Sequence, residues 1–189
     1  MEYIRRQRGG AVSLPLTELH SRDMSYEQLQ LWVGFCPLTR HVNLYVDEDL
    51  GHLLTPLHEL RHLQELKLLA CNFYSDRVDR LVREQGQNLT LLHLEHVDEL
   101  DMAALGLIAL CCPNLEKLVF FSCDFVENFV PLSDRDPRQP AAFQRLSSLV
   151  CVSESAPNVI EFLLVQAENL RRCFFFFTIE TGIFQNNIV

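Results

Sequence analysis

Leu63-Gln64-Glu65-Leu66-Lys67-Leu68-Leu69-Ala70-Cys71 carries apolar residues at relative positions 1, 4, 6 and 9. The same positions recur 26 residues later as Leu89, Leu92, Leu94 and Val97, and after another 26 as Leu115, Leu118, Phe120 and Cys123. Two equal intervals in succession mark a solenoid of stacked units, each burying its apolar face against its neighbours. Such an architecture points to a binding scaffold and away from a self-contained catalytic site.

The L-x-L part of each unit predicts a short strand, because residues two apart share one face. The two leucines point into the core, and the residue between them points to the opposite, concave surface. Cys36-Pro37 precedes Val42 and Leu44 at the spacing with which Cys112-Pro113 precedes Leu118 and Phe120, so Val42–Leu44 is an earlier strand. Val12–Leu14 is read as one strand earlier still. Downstream, Leu146, Leu149 and Cys151 fit the template, as do Leu170, Cys173 and Phe175. This makes about six units, above the ~3 needed to bury a continuous core.

The stretches between strands read as helices. Met24 to Gly34 has a capping box in Ser25 and Gln28. Asp49 precedes Leu50 to Leu57, a helix that Pro56 shortens. Ser75 or Asp76 precedes Val78, Leu81 and Val82, with Gly86 as a C-terminal cap. Asp101 precedes Met102 to Leu110, apolar nearly all round and so expected to be buried. Pro157 suits the first turn of a helix running to about Ala167. One unit is longer than the rest, and its excess falls near residues 126–142. Pro131, Pro137 and Pro140 with four charged residues there predict an inserted surface loop; the alternative is a partner-contacting or modifiable loop, with Ser133 as its hydroxyl.

Composition bounds the function. The 189-residue chain is 48% hydrophobic and 22% charged, which suits a globular protein. Its net charge of −9 disfavours nucleic acid as a partner, since such proteins present a basic face. Arg5, Arg6 and Arg8 are followed by no apolar run, so no signal peptide is expected, and no stretch is long enough to suggest a membrane span. Seven cysteines without a CxxC pair, and no secretion signal, point to a reducing compartment, the cytoplasm or the nucleus.

The run Cys112-Pro113-Asn114-Leu115-Glu116-Lys117-Leu118-Val119-Phe120-Phe121-Ser122-Cys123 resembles the cysteine-containing class of leucine-rich repeat, C-P-x-L-x-x-L-x-L-x-x-C. Leu63 to Cys71 matches its strand half and Cys36-Pro37 its entry half, so the resemblance spans roughly Met24 to Phe177. It implies an α/β solenoid with a curved parallel sheet inside and helices outside. Residues 1–23 would form an N-terminal segment or cap, 24–177 the repeat domain, and 178–189 a tail. Repeats of this class are typical of F-box/leucine-rich-repeat proteins, the substrate receptors of cullin-type ubiquitin ligases. There the repeats bind the substrate and a separate F-box binds the ligase adaptor. No F-box is visible here: Leu14-Pro15 is similar to its opening, but His20-Ser21-Arg22-Asp23 stands where its apolar helix would run. The resemblance therefore implies a protein partner on the repeats, with the cullin-ligase adaptor a second. The alternative is a structural or inhibitory scaffold without a ubiquitin link.

Motifs that could carry chemistry are few, and neither catalysis nor a cofactor or metal is expected. His58-Glu59-Leu60-Arg61-His62 spells H-E-x-x-H, a zinc motif when it lies on a helix. The repeat register aligns His62 with Asn88 and Asn114 at the turn into a strand, so the segment reads as a solvated helix end. Six cysteines fall on repeat positions: Cys71 and Cys123 after the strand, Cys36 and Cys112 before proline, Cys151 and Cys173 within it. All six read as core.

The strand pattern also predicts the binding surface. The outward columns run His41, Glu65, Leu91, Lys117, Ser148, Arg172; then Asn43, Lys67, His93, Val119, Val150, Phe174; then Tyr45, Leu69, Glu95, Phe121, Val152, Phe176. The candidate protein-binding residues are Tyr45, Leu69, Val119, Phe121, Val150, Val152, Phe174 and Phe176, densest in the last three units. An exposed apolar patch of this kind suggests an interface, and aromatic residues are frequent hot spots. The alternative is that the tail, residues 178–189, folds over it, or that further repeats continue the sheet.

Overall fold

The computed structural model describes residues 13–46, 52–126, 143–153, 157–179 and 182–188, with residues 157–158 and 177–188 described by their backbone. The elements in chain order are β1 (Glu18–Ser21), α1 (Tyr26–Phe35), β2 (His41–Tyr45), β3 (Glu65–Asn72), α2 (Val78–Gln85), β4 (Leu91–Asp98), α3 (Met102–Cys111), β5 (Lys117–Phe121), β6 (Ser148–Ser153), α4 (Pro157–Gln166), β7 (Arg172–Ile179) and β8 (Gly182–Ile188), with 3-10 turns at Thr55–Glu59 and Gly86–Asn88. The strands form one sheet in chain order. The first seven are parallel and β8 returns antiparallel along β7.

Register follows the apolar spacing. Leu19, Val42, Leu66, Leu92, Leu118, Leu149 and Cys173 stand side by side across the sheet. All are buried, as are Leu44, Leu68, Leu94, Phe120, Cys151 and Phe175 in the row two residues on. These rows share one apolar core with the buried sides of the helices, including Leu29, Val33, Leu81, Val82, Leu105, Ile108 and Leu163. Burying a side chain of this kind is worth roughly 1.5–3 kcal/mol.

Strands β2 to β7 each begin on the same pair of bonds. Thr17 O accepts from the N–H groups of Arg40 and His41, and Arg40 O from those of Gln64 and Glu65. Gln64 O, Thr90 O, Glu116 O and Ser147 O continue the series in the same way. One turn of chain before each strand is closed by a bond between equivalent residues: Thr39 to Cys36, Leu63 to Leu60, Leu89 to Gly86, Leu115 to Cys112, Leu146 to Phe143 and Leu170 to Ala167. Asparagines add a side-chain ladder at this turn. Asn114 Nδ2 donates to Gln87 O at 2.8 Å and Asn169 Nδ2 to Gln144 O at 2.7 Å. The exit turn repeats too: Ala70, His96 and Ser122, spaced by 26, are left-handed with φ of 52°, 51° and 50°. That conformation lets the chain leave the sheet sharply.

Several expectations are corrected. The first strand is not at Val12–Leu14: Val12 lies outside the described residues, and Leu14 N–H donates instead to Phe35 O at 2.6 Å. Pro15 has no N–H for a ladder, and the pairing begins at Glu18. Helix α1 has the expected Ser25–Gln28 capping box, and Asp101 caps α3 by accepting from Ala104 N–H at 2.7 Å. Helix α2 has no side-chain cap. Its N-terminal residue is left-handed Arg77, and the buried Asp76 carboxylate accepts from Asn72 N–H at 2.7 Å, tying the preceding turn. The helix expected up to Leu57 is a 3-10 turn over Thr55–Glu59 with Pro56 in its first turn, while Asp49 and Leu50 lie outside the described residues. Helix α3 is not buried all round: Leu110 is 79% exposed. Arg5, Arg6, Arg8 and the Pro131–Pro140 loop with Ser133 lie outside the described residues. Residues 182–188 of the expected tail extend the sheet as β8.

Gly86 is the C-cap of α2 as expected, its N–H donating to Val82 O, but it is not left-handed. Its φ is −55°, a right-handed value open to any residue. The constraint is space: a Cβ there would lie 2.6 Å from Cys111 O and 2.9 Å from Cys112 Sγ. Gly86 occupies the repeat position of Cys112, and the next unit's cysteine fills the room its own side chain would need. Where conformation alone matters, Gly→Ala stabilises by about 0.4–1 kcal/mol. Gly86→Ala should instead destabilise by about 1–3 kcal/mol, the range for overpacking a core. Urea unfolding of the two proteins reads the sign directly.

Candidate functional site

Helix and turn residues share the core with one face of the sheet, so chemistry accessible to a partner concentrates on the other face. That face divides at β4. On β2 to β4 the side chains are polar and paired with one another. His41 Nδ1 lies 3.0 Å from Glu65 Oε2, and Lys67 Nζ lies 2.9 Å from Glu95 Oε2. The Lys67 hydrogen bond holds the Glu95 carboxyl below its usual range. His93 stands between Lys67 and Val119 in the same row. Its Nε2 is buried and lies 3.4 Å from Glu95 Oε2, without hydrogen-bond alignment. Burial first, then the cations Lys67 and Lys117, push its pKa down to about 4.

A cleft of about 740 Å³ lies over this half, lined in part by Arg22, Asn43, Tyr45, Lys67, Leu69 and Glu95. His20 and Asp23 close its β1 side. The sequence reading missed His20–Asp23 because it placed the first strand too early. The available signal was Leu19, which falls 23 residues before Val42, close to the spacing of later units.

On β5 to β7 the face turns apolar. The predicted residues Phe121, Val150, Val152, Phe174 and Phe176 are adjacent in register there. Phe121 is 41% and Phe174 39% exposed, and Val150, Val152 and Phe176 are half-buried. Val119, predicted as a surface residue, is a correction: it is only 6% exposed. It sits between His93 and Val150 in its row and between Lys117 and Phe121 along its strand, and this small side chain lies below its neighbours. Tyr45 and Leu69 are also separated from the aromatic group. They line the polar cleft, with β4 intervening.

The remaining motifs are structural. His58 is the side chain that the solvated-end reading misplaces: it is 12% exposed and its Nδ1 contacts Glu84 Oε2. Its backbone carbonyl accepts from Gln85 Nε2 at 2.7 Å, so it ties the 3-10 turn to α2. Chain between His58 and His62 leaves helical geometry after Glu59, so the two rings lack the helical spacing zinc would need. Among the described residues no group of three or more His, Cys, Asp or Glu could hold a metal ion. The six repeat cysteines are buried and free. Burial pushes the Cys112, Cys123 and Cys151 thiols up to about 12 and Cys173 to about 11, so they stay protonated at neutral pH. Cys123 Sγ donates to Leu94 O at 3.2 Å, using the thiol as a weak donor inside the exit turn. No helix among the described residues is long and apolar enough to cross a membrane.

No protein-family model matches the chain, and no curated protein matches its sequence at a significant level.

His93 gives the face a pH signature. Its folded pKa of about 4 is below the 6.5 of an unperturbed histidine, so the unfolded chain takes up the proton first as pH falls. The stability tied to the neutral ring is fully present above pH 6.5 and is lost progressively down to about pH 4. Between pH 7 and 4 the wild-type chain should therefore lose stability relative to His93→Gln. Paired urea titrations at several pH values measure that difference, and a pH-independent offset would contradict the assignment.

Proposed function

We propose that this chain is a leucine-rich-repeat solenoid that recognises a protein partner through the apolar part of its open sheet face. The observation that carries the reading is the contiguous group Phe121, Val150, Val152, Phe174 and Phe176 on β5 to β7. These side chains stand on the face that the helices leave uncovered and are partly exposed. Monomeric proteins seldom leave apolar and aromatic side chains grouped in this way without a use for them. The repeating turn bonds and left-handed exits support the solenoid reading. Parallel strands held at fixed register make a rigid platform, which lowers the ordering cost of association.

In the more specific form of the reading, the face is the substrate-binding half of a receptor similar to the F-box/leucine-rich-repeat proteins. The Cys112 to Cys123 run supports it by its likeness to their repeats. The alternative, a structural or inhibitory scaffold, uses the same face with no ligase behind it.

Affinity capture from cell lysate, comparing the intact chain with Phe121→Glu/Phe174→Glu, tests both levels. Both side chains are substantially exposed, so the double variant should fold with an unchanged circular dichroism spectrum. The expected outcome is a bound protein that the variant loses, since hot-spot losses of about 2 kcal/mol or more reduce binding some thirtyfold. Co-capture of cullin-ligase subunits supports the receptor form, and their absence favours the scaffold. A folded variant that keeps every partner contradicts the face assignment.

A further inference from the structure

The charges on the open face are distributed unevenly. On β2 to β4 the polar side chains pair within the sheet, His41 with Glu65 and Lys67 with Glu95. On β5 to β7 the row bordering the aromatic group carries Lys117 and Arg172, both exposed, with Ser148 between them in register. Neither cation has an acidic partner within 4.0 Å among the described residues. Two cations beside an apolar surface, without a carboxylate partner among the described residues, are conspicuous in a chain of net charge −9. The excess carboxylates elsewhere would repel a polyanion such as nucleic acid at long range, so any attraction for negative charge is local to this row.

The geometry sets what can lie there. Lys117 and Arg172 are two strand spacings apart, roughly 10 Å, and the row of Phe121, Val152 and Phe176 lies four residues further along the strands, about 13 Å away. Glu95 is the register neighbour of Phe121 in that far row, so a carboxylate placed at that end would meet like charge.

We propose that the occupant of this face is an acidic peptide segment of a partner protein, laid with carboxylates over Lys117 and Arg172 and apolar side chains against Phe121, Phe174 and Phe176. This rests on the reading of the face as a protein-docking surface. It adds the sign of the partner's charge and the direction in which the segment lies.

Selection of a phage-displayed random 12-residue peptide library on the immobilised full chain tests it, with sedimentation on phosphatidylcholine/phosphatidylserine vesicles in parallel. The enriched peptides should be net negative and contain aromatic or aliphatic residues. Their affinity should fall about tenfold or more in Lys117→Glu/Arg172→Glu and also in Phe121→Ser/Phe174→Ser. Replacing the peptide carboxylates by lysine should restore binding to the charge-reversed variant, a rescue that a misfolded variant could not show. Neutral or basic peptides, or peptides lost only in the phenylalanine variant, overturn the acidic assignment while leaving the docking face intact. Peptides indifferent to both variants overturn the docking face itself. Failure to enrich any peptide overturns the proposal, and vesicle binding in that case identifies an anionic lipid surface as the occupant.

Discussion

A single carbonyl just before each of β1 to β6 accepts two N–H groups from the next strand's entry, and the rest of the structure depends on that repeated contact. It fixes where each following strand begins relative to its neighbour. Side chains alternate along a strand with period two, so a slip of one residue would turn the whole leucine set outward. The bonds at Thr17, Arg40, Gln64, Thr90, Glu116 and Ser147 hold that register along the sheet. They constrain only strand entry. Unit lengths can therefore differ, with Leu118 and Leu149 separated by 31 residues where Leu66 and Leu92 are separated by 26. The surplus is accommodated between β5 and β6, where the ladder makes no demand.

With one face committed to the core, the other is free to vary, and it varies by unit. Three strands carry polar side chains paired with one another, and the next three carry an apolar group with two cations at its edge. The polar half illustrates how burial and charge act together. His93 is held neutral because protonation would cost desolvation beside two lysines. Glu95, in the same cluster, is held ionised by Lys67. Among the described residues the apolar half has no pairing of this kind, and the proposed docking of a partner starts from that difference.

Small and sulfur-bearing residues occupy the tight places between units. Gly86 yields its side-chain volume to Cys112, and Cys123 ties its turn to β4 by donating its thiol hydrogen to Leu94 O. Such positions read as motif residues in the sequence, yet their role is steric. His58 behaves similarly: a residue that spells a metal motif serves as a tie between a 3-10 turn and α2.

Much of the fold was legible because its determinants are local and repeated. Val42, Leu66, Leu92, Leu118, Leu149 and Cys173 declare six of the seven parallel strands, Val42 through the Cys36-Pro37 before it, and Ser25 and Asp101 announce their helices by capping chemistry. The strand at Glu18–Ser21 was not legible in this way, since only Leu19 marks it and no Cys-Pro precedes it. Nor was β8, whose antiparallel return is set by pairing with β7 and not by any period. The binding surface was legible as a list of outward residues but not as a shape. Periodicity assigns Val119, Phe121, Tyr45 and Leu69 the same status, because it reports only which face a residue points to. The tertiary structure alone decided that Val119 lies beneath its neighbours, that Tyr45 and Leu69 belong to a polar cleft, and that Lys117 and Arg172, beside the aromatic group, have no carboxylate partner among the described residues. Those distinctions depend on the size and charge of side chains one strand away, which are distant in sequence and adjacent only in the folded sheet.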